Sequence, residues 1–466
     1  MPVRRGYLGK MKKVAVTGAS GFVGRAIVAA LAKRGDAVLA LGRSASIDDL
    51  PQGVRTARFD PNDTKPHPEL FEGLDAVVHL AGETVDGRWN EEKKRRIFDS
   101  RVVGTRNLVS TLAKCDIARP PVLICASAVG FYGSRGDEVL SESSPPGDDF
   151  LAGVCKAWEN EADVALLLGM RVAKVRVSFV LGDGGAVRKL LPPFKAFVGG
   201  PFGTGRMWFP WIHLEDIAAM FLWAIDHPEV SGALNAVSPD VATNARFVQA
   251  LGHAISRPAL APVPPFGLKL VVGEFADAVL ASQLVLPAKA MDLGFRWEHE
   301  SLEEAMLDVL APNTNKKPAT HELRAEQYIP RPIEDVWRFF ADASKLPQVT
   351  PPKLRIVIVD PPTELTRGAT IDYSVRVGGL RMKWRTLIAG LTAGSSFVDY
   401  QVRGPYALWR HRHGFEVGKS GGTIVRDEVR YSLPWAPLSD IALPSVRHEL
   451  SDIWAYRRHK ISELFS

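Results

Sequence analysis

The stretch VAVTGASGFVGRAIVAAL sets Gly18, Gly21 and Gly24 between an apolar, β-branched run and a helical pattern. Each spacing has a physical job: Gly18 permits a tight turn, Gly21 lets the backbone approach a pyrophosphate, and Gly24 lets helix and strand pack closely. Ser20, Phe22 and Val23 complete the loop. The helix that follows offers amide donors and the positive end of its dipole to the phosphates. The next apolar run ends AVLALGRSAS, where an acidic residue would hold a ribose 2′-hydroxyl; Arg43 suits a 2′-phosphate instead. The pattern therefore predicts a dinucleotide site that prefers NADP, with NAD as the alternative. RFDPND brings Asp60 to the end of a third strand, in reach of an adenine amino group, and HLAG lays Ala81 and Gly82 along the cofactor's path.

Glu83, Arg88, Ser100 and Arg101 form a polar group after the fourth strand, at the end of an α/β sheet where ligands bind. Glu83 and Arg101 are expected to hold an anionic substrate, or else to pair with each other. CASAVGFYG carries Ser127 and Tyr132 past the fifth strand, toward the nicotinamide end. In FLAGVCKAWE, Cys155 stands beside Lys156, and a cation lowers a thiol's pKa, although a helix cysteine is more often a buried apolar residue. Within WIHLED, Trp211, Ile212, His213 and Asp216 are expected to close a substrate lobe, with His213 structural. Far downstream, strand alternation along LWRHRH puts Trp409, His411 and His413 on one face, and Arg410 and Arg412 on the other. No paired cysteines or acidic cluster accompany them, so no metal is expected; a cavity wall with a few polar groups is the expectation.

These residues need a scaffold. KVAVT, AVLAL, AVVHLA, VLICAS and KVRVS read as buried parallel strands, with FVGRAIVAALAKRG and NEEKKRRIFDSRVVGTRNLVSTLAKC as helices between them. That alternation predicts an α/β, doubly wound parallel sheet of Rossmann type over residues 12–311, ending in a small substrate lobe from about Leu190. PNTNKKPAT, residues 312–320, reads as a linker. From 321 to 466 the pattern is strand, helix, a long antiparallel run from LRIVIVD to TIVRDEVRYSL, and an amphipathic helix over about Val446 to Phe465. This predicts a second, α+β domain whose inward apolar positions either hold a hydrophobic ligand or are simply core. Residues 1–11 read as an N-terminal extension, with Met11 as an alternative start.

The 466 residues carry 58 Lys and Arg against 52 Asp and Glu, a formal net charge of +6. The cations are scattered, as in EEKKRR, so a nucleic-acid partner is not expected. Cys115, Cys125 and Cys155 lack CxxC spacing and fit a reducing compartment. LKLVVGEFADAVLASQLVLP carries Lys269, Glu274 and Asp277, too much charge for a membrane span. A cytoplasmic protein without membrane insertion is expected, of open oligomeric state.

In order along the chain, TGASGFVG, HLAGE, SRVVGT, SAVGFYG, RVSFVLG and PFGTGRMWFPWIHLEDIA resemble the atypical epimerase family of the extended short-chain dehydrogenase/reductases. The segment from PPFGLKLVVGE to LGFRWEHESLEEAM is similar to that family's C-terminal extension. IPRPIEDVWRFFAD, Pro351 with Pro352, GPYALWRHRHGFE and the closing helix resemble the START-like helix-grip group that includes polyketide cyclase/dehydrase relatives. The first resemblance implies a serine and a Tyr-x-x-x-Lys pair, the lysine lowering the tyrosine's pKa and holding the nicotinamide ribose, often with an asparagine. Ser127 matches the serine and Lys156 the lysine. Ala152 occupies the tyrosine's slot (Leu151 if the register shifts by one), and Arg101 stands where asparagine is expected. Tyr132 is the nearest replacement donor. The expectation is an oxidoreductase- or epimerase-like protein of unassigned substrate and atypical site, with Ser127 and Lys156 orienting substrate and ribose and Tyr132 or water replacing the missing tyrosine. The alternative is a non-catalytic NADP-binding sensor or scaffold, fused to a hydrophobic-ligand carrier.

Overall fold

The computed structural model describes residues 11–60, 68–115, 120–310, 320–359, 361–362, 364–377, 380–418, 421–433 and 441–465. Most of the expected extension and linker lies outside the described residues. The chain divides into two compact units, residues 1–314 and 315–466.

In the first unit the strands are β1 (Lys13–Thr17), β2 (Ala37–Gly42), β3 (Arg55–Arg58), β4 (Ala76–His79), β5 (Val122–Ala128), β6 (Val139–Leu140), β7 (Val172–Val177), β8 (Phe179–Leu181), β9 (Trp211–His213), β10 (Gly232–Ala236) and β11 (Leu284–Val285). Seven form one parallel sheet in the order β10-β7-β5-β4-β1-β2-β3. The chain winds outward from β1 to β3, then restarts at β4 and winds the other way. The crevice between β1 and β4 is therefore the topological switch point, where ligands of such sheets bind. Val14 to Val16 and Ala76 to Val78 are fully buried, which is why these strands read as continuous apolar runs.

Three helices frame that crevice: α1 (Phe22–Arg34), α2 (Glu91–Leu112) and α3 (Phe150–Asp163). Asn90 starts α2 by accepting from the Lys93 amide, and Asp149 starts α3 by accepting from the Ala152 amide. Gly35, left-handed at φ +94°, ends α1.

A hydrogen-bonded clamp fixes β1 to β4. Thr17 Oγ1 accepts from the amides of Leu80 (3.1 Å) and Ala81 (3.3 Å) and lies 2.7 Å from His79 Nδ1; His79 Nε2 lies 3.0 Å from Thr105 Oγ1. Because the threonine oxygen already accepts twice, its proton goes to Nδ1, which leaves the ring proton on Nε2 to reach Thr105. Burial lowers His79 from 6.5 to about 4, so the neutral ring the clamp needs is the one present.

The small lobe has its own core, which includes Leu181, Phe194, Trp211, Phe247 and Met306. Its charged pin is Arg246, which donates to both Asp240 oxygens at 2.6 Å and to Glu303 at 2.7 and 2.9 Å, all three residues buried.

The second unit contains β12 (His321–Ile329), β13 (Val357–Val359), β14 (Thr370–Val377), β15 (Leu380–Thr392), β16 (Ser396–Arg403), β17 (Leu408–Val417) and β18 (Thr423–Ser432), with a closing helix Leu443–Phe465 that starts slightly before the expected point. The sheet is antiparallel, in the order β12-β18-β17-β16-β15-β14-β13. Leu450, Trp454 and Ile461 share one face of the closing helix and bury it among apolar residues of the sheet. A cavity of about 210 Å³ opens in this unit, walled by Phe340, Tyr373, Trp384, Trp409 and Trp454. Among the described residues no helix is long and apolar enough to cross a membrane.

Two measurements test these packing arguments. Arg246→Met leaves two buried carboxylates uncompensated, and urea unfolding of the first unit should show a loss of about 3–5 kcal/mol; a loss below ~1 kcal/mol would count against the pin. For His79, the folded ring resists protonation while the unfolded ring takes a proton below 6.5. Stability should therefore fall as pH drops from about 6.5 to about 4, by about 3 kcal/mol from this group. His79→Asn should flatten that window, and an unchanged slope would contradict the clamp.

Candidate functional site

The glycine loop leaves no room for a side chain at Gly18 or Gly24. Gly18 adopts φ +67°, and a Cβ there would stand 2.9 Å from the Ala81 nitrogen. A Cβ on Gly24 would stand 2.2 Å from the Gly18 oxygen. The Gly21 amide donates to Gly18 O at 2.9 Å, closing the turn. Gly21 is then the N-cap of α1, extended and with no side-chain hydrogen bond to the helix amides. Ser20 and Gly21 are exposed. The first amides of α1 thus point to the switch point without an internal acceptor.

Around this loop the expected residues fall in different places. Arg43 is exposed directly after β2, and Arg25 ties the same region together by donating to Ser20 O at 3.1 Å and to Asp48 O at 2.6 Å. Sequence reasoning passed over Arg25, although its place beside Gly24 was a visible signal. The Phe22 ring lies against the loop of Gly182, Gly184 and Gly185, where added Cβ atoms would come within 2.7–3.0 Å of it. Val23 packs on the sheet core. Asp60 is half-buried just after β3.

Past β4, Glu83 and Arg101 meet, but not as an ion pair. The Glu83 carboxylate takes Lys93 Nζ at 2.8 Å, which holds it below the usual carboxylate range. Arg101 Nη1 donates instead to the carbonyls of Glu83 (2.9 Å) and Ile97 (3.3 Å). Its guanidinium lies 5.2 Å from the Trp158 ring and borders Gly82, where a Cβ would stand 3.3 Å from Arg101 Cζ. Among the described residues, Arg101 Nε and Nη2 make no hydrogen bond. Burial lowers its pKa, the sign of a cation with too little water.

The structure does not bring Ser127, Tyr132 and Lys156 together as one open group. Ser127 Oγ donates to Glu159 Oε1 at 2.7 Å, and Arg176 grips the same carboxylate through Nε (2.8 Å) and Nη2 (2.9 Å). Arg176 Nη1 donates to the Tyr132 hydroxyl at 2.8 Å, and that hydroxyl donates to Asn235 Oδ1 at 2.7 Å. Tyr132 is fully buried, and burial pushes its pKa up to about 12. Lys156 is exposed on α3, and its buried neighbour Cys155 is the residue turned toward Ser127 and Arg101. Far from being activated, that thiol is pushed up to about 12 by burial. Ala152, in the tyrosine's slot, is fully buried. No local motif announces the Glu159–Arg176 pair, since one partner is on α3 and the other on β7.

His213 is buried and caps the helix Leu214–Asp226, accepting from the Glu215 amide, while Asp216 accepts from the amides of Glu298 and His299.

Comparison with known proteins adds to this geometry. Residues 14–236 match the NAD dependent epimerase/dehydratase family, residues 263–309 a domain of unknown function (DUF1731), and residues 329–453 the family described as polyketide cyclase / dehydrase and lipid transport. The chloroplastic epimerase family protein SDR39U1 homolog of Arabidopsis thaliana is 38% identical over 306 residues, 64% of this chain and 86% of its own. Epimerase family protein YfhF of Bacillus subtilis is 33% identical over 299 residues, 64% of this chain and 98% of its own. The crystal structure of human epimerase family protein SDR39U1 (isoform2) with NADPH is 32% identical, with a TM-score of 0.56, and covers 65% of this chain and 100% of its own. That of the nucleoside-diphosphate sugar epimerase from Corynebacterium glutamicum is 35% identical, with a TM-score of 0.52, covering 65% and 59%. The glycine loop at the switch point and these relatives agree: the chain belongs to the epimerase family, and carries in addition a polyketide cyclase/dehydrase domain.

Proposed function

We propose that the first unit binds NADPH across the β1–β4 switch point and acts on a small anionic or carbonyl substrate beside Arg101. The observation that carries this is the approach of Gly18 to Ala81, with the uncapped amides of α1 beside it. It fits a pyrophosphate in reach of backbone donors. The human relative crystallised with NADPH supports the same cofactor, and Arg43 supplies the cation that a 2′-phosphate needs. Once bound, the nicotinamide supplies hydride acceptance and donation.

The protein side of the chemistry then rests on Arg101. Its guanidinium borders Gly82 with two donor nitrogens unused, and a positioned, poorly hydrated cation there would stabilise a substrate oxygen gaining negative charge. Ser127 and Tyr132 serve the Glu159–Arg176 network, and Cys155 keeps its proton, so none of the three is a ready acid. The proton comes from water or from the substrate itself. A second reading, an NADP-binding sensor without turnover, is favoured by that same locking of Ser127 and Tyr132. In the second unit, the aromatic walls of the cavity support an apolar ligand.

Calorimetric titration separates the residues. Arg43→Ala should weaken NADPH at least ~10-fold, about one lost charge-assisted bond, and leave NADH nearly unchanged; equal losses would sink the 2′-phosphate assignment. Lys156→Ala should leave NADPH affinity within about twofold, as expected of an exposed charge. A drop as large as that of Arg43→Ala would restore Lys156 to the ribose. Loss of NADPH absorbance on mixing with carbonyl compounds, abolished in Arg101→Gln, would favour the enzyme over the sensor.

A further inference from the structure

We propose that Asp399, His411 and His413 form a binding site for a divalent first-row transition ion, set in the wall of the second unit's cavity. Strand register assembles it. Asp399 on β16 lies directly across from His411 on β17, and His413 lies directly across from Asp427 on β18. All four side chains are buried, between 4% and 9% exposed.

Both imidazoles stand between the same two carboxylates. On one side, His411 Nε2 lies 2.9 Å and His413 Nδ1 2.8 Å from the same Asp427 oxygen, although His413 Nδ1 is poorly aligned for a hydrogen bond. On the other side, His411 Nδ1 and His413 Nε2 converge on Asp399 Oδ2 at 3.7 and 3.4 Å. One carboxylate thus backs both rings, and a second completes a triangle with their far nitrogens. Metal-bound histidines are oriented by outer carboxylates in this way.

The spacing decides between a hydrogen-bonded cluster and a ligand set. At 3.4 and 3.7 Å the inner nitrogens are too far from Asp399 for strong hydrogen bonds. Ligands placed 2.0–2.1 Å from a tetrahedral ion stand about 3.3 Å from one another. The three candidate donor atoms all lie within 4.8 Å of each other, and a small contraction would bring them onto an ion. Two imidazoles and one carboxylate, with no thiolate, suit zinc or iron(II) and not calcium or magnesium. Arg457 also faces the cluster and opposes a cation there. Against it stand two carboxylates, so with neutral imidazoles the net charge remains negative. Asp399, His411 and His413 all line the cavity, which leaves the ion's fourth position open toward it. Only the idea that a cavity ligand takes that fourth position rests on the apolar-ligand reading; the ion site does not.

The test uses the full chain, stripped with chelator and free of added ligand. Zinc is titrated in competition with a chromophoric chelator, and cobalt(II) is titrated while the visible spectrum is recorded. One equivalent of zinc should bind at this site. Asp399→Asn and His413→Gln should each weaken it at least ~10-fold, and Asp427→Asn should do so with the stoichiometry kept. His299→Gln removes a ligand from the first unit's more exposed cluster of His213, His299 and Asp308, and should leave this affinity unchanged. If a variant fails to fold, wild-type cobalt decides: an intense tetrahedral spectrum supports the site, and a weak octahedral one overturns it. The proposal also fails if no zinc is retained, or if its affinity ignores Asp399→Asn. Apolar-ligand binding that persists without any metal affinity would leave the cavity reading standing and remove this one.

Discussion

The first unit depends on one small constraint: β1 and β4 must be held so closely that the turns after them nearly touch. Thr17 does this by accepting two amides from the β4 turn while giving its own proton to His79. The same closeness is why position 18 has no space for a Cβ. The amides at the start of α1, which no side chain caps, lie directly after that turn. The neutrality of His79, imposed by burial, is a condition of the fold as much as a result of it.

A second constraint engages two of the residues expected to do chemistry, Ser127 and Tyr132. Glu159 and Arg176 form a buried, bidentate ion pair under the end of β5, and Ser127 and Tyr132 are among its hydrogen-bond partners, with the Glu142 carbonyl. A buried pair of this kind needs its leftover valences satisfied, and the serine and tyrosine do so. The polar group that remains beside the crevice is Arg101, held by carbonyls and not by a carboxylate.

What could be read from sequence was whatever is encoded locally. The glycine spacing, the apolar strand runs and the alternation along LWRHRH each report a backbone geometry within a few residues, and His411 and His413 do face inward with Trp409. The residues that were missed act across distance. Arg176 lies 17 positions from Glu159 and meets it only because α3 packs on β7. The absence of acidic residues beside LWRHRH argued against a metal, yet Asp399 and Asp427 arrive from the two flanking strands, where register alone pairs them with the histidines. One step around a helix turns a side chain by about 100°, so on α3 Lys156 is exposed while its neighbour Cys155 is buried.

That register has a further consequence, for how the second unit avoids misassembly. On a strand whose faces alternate, a slip by one residue exchanges every inward side chain for an outward one. Slippage of β17 between β16 and β18 would carry Arg410 and Arg412 into an aromatic cavity and leave Asp399 and Asp427 facing each other without their imidazoles. The histidine–aspartate set thus favours the observed register of β16, β17 and β18 over its neighbours.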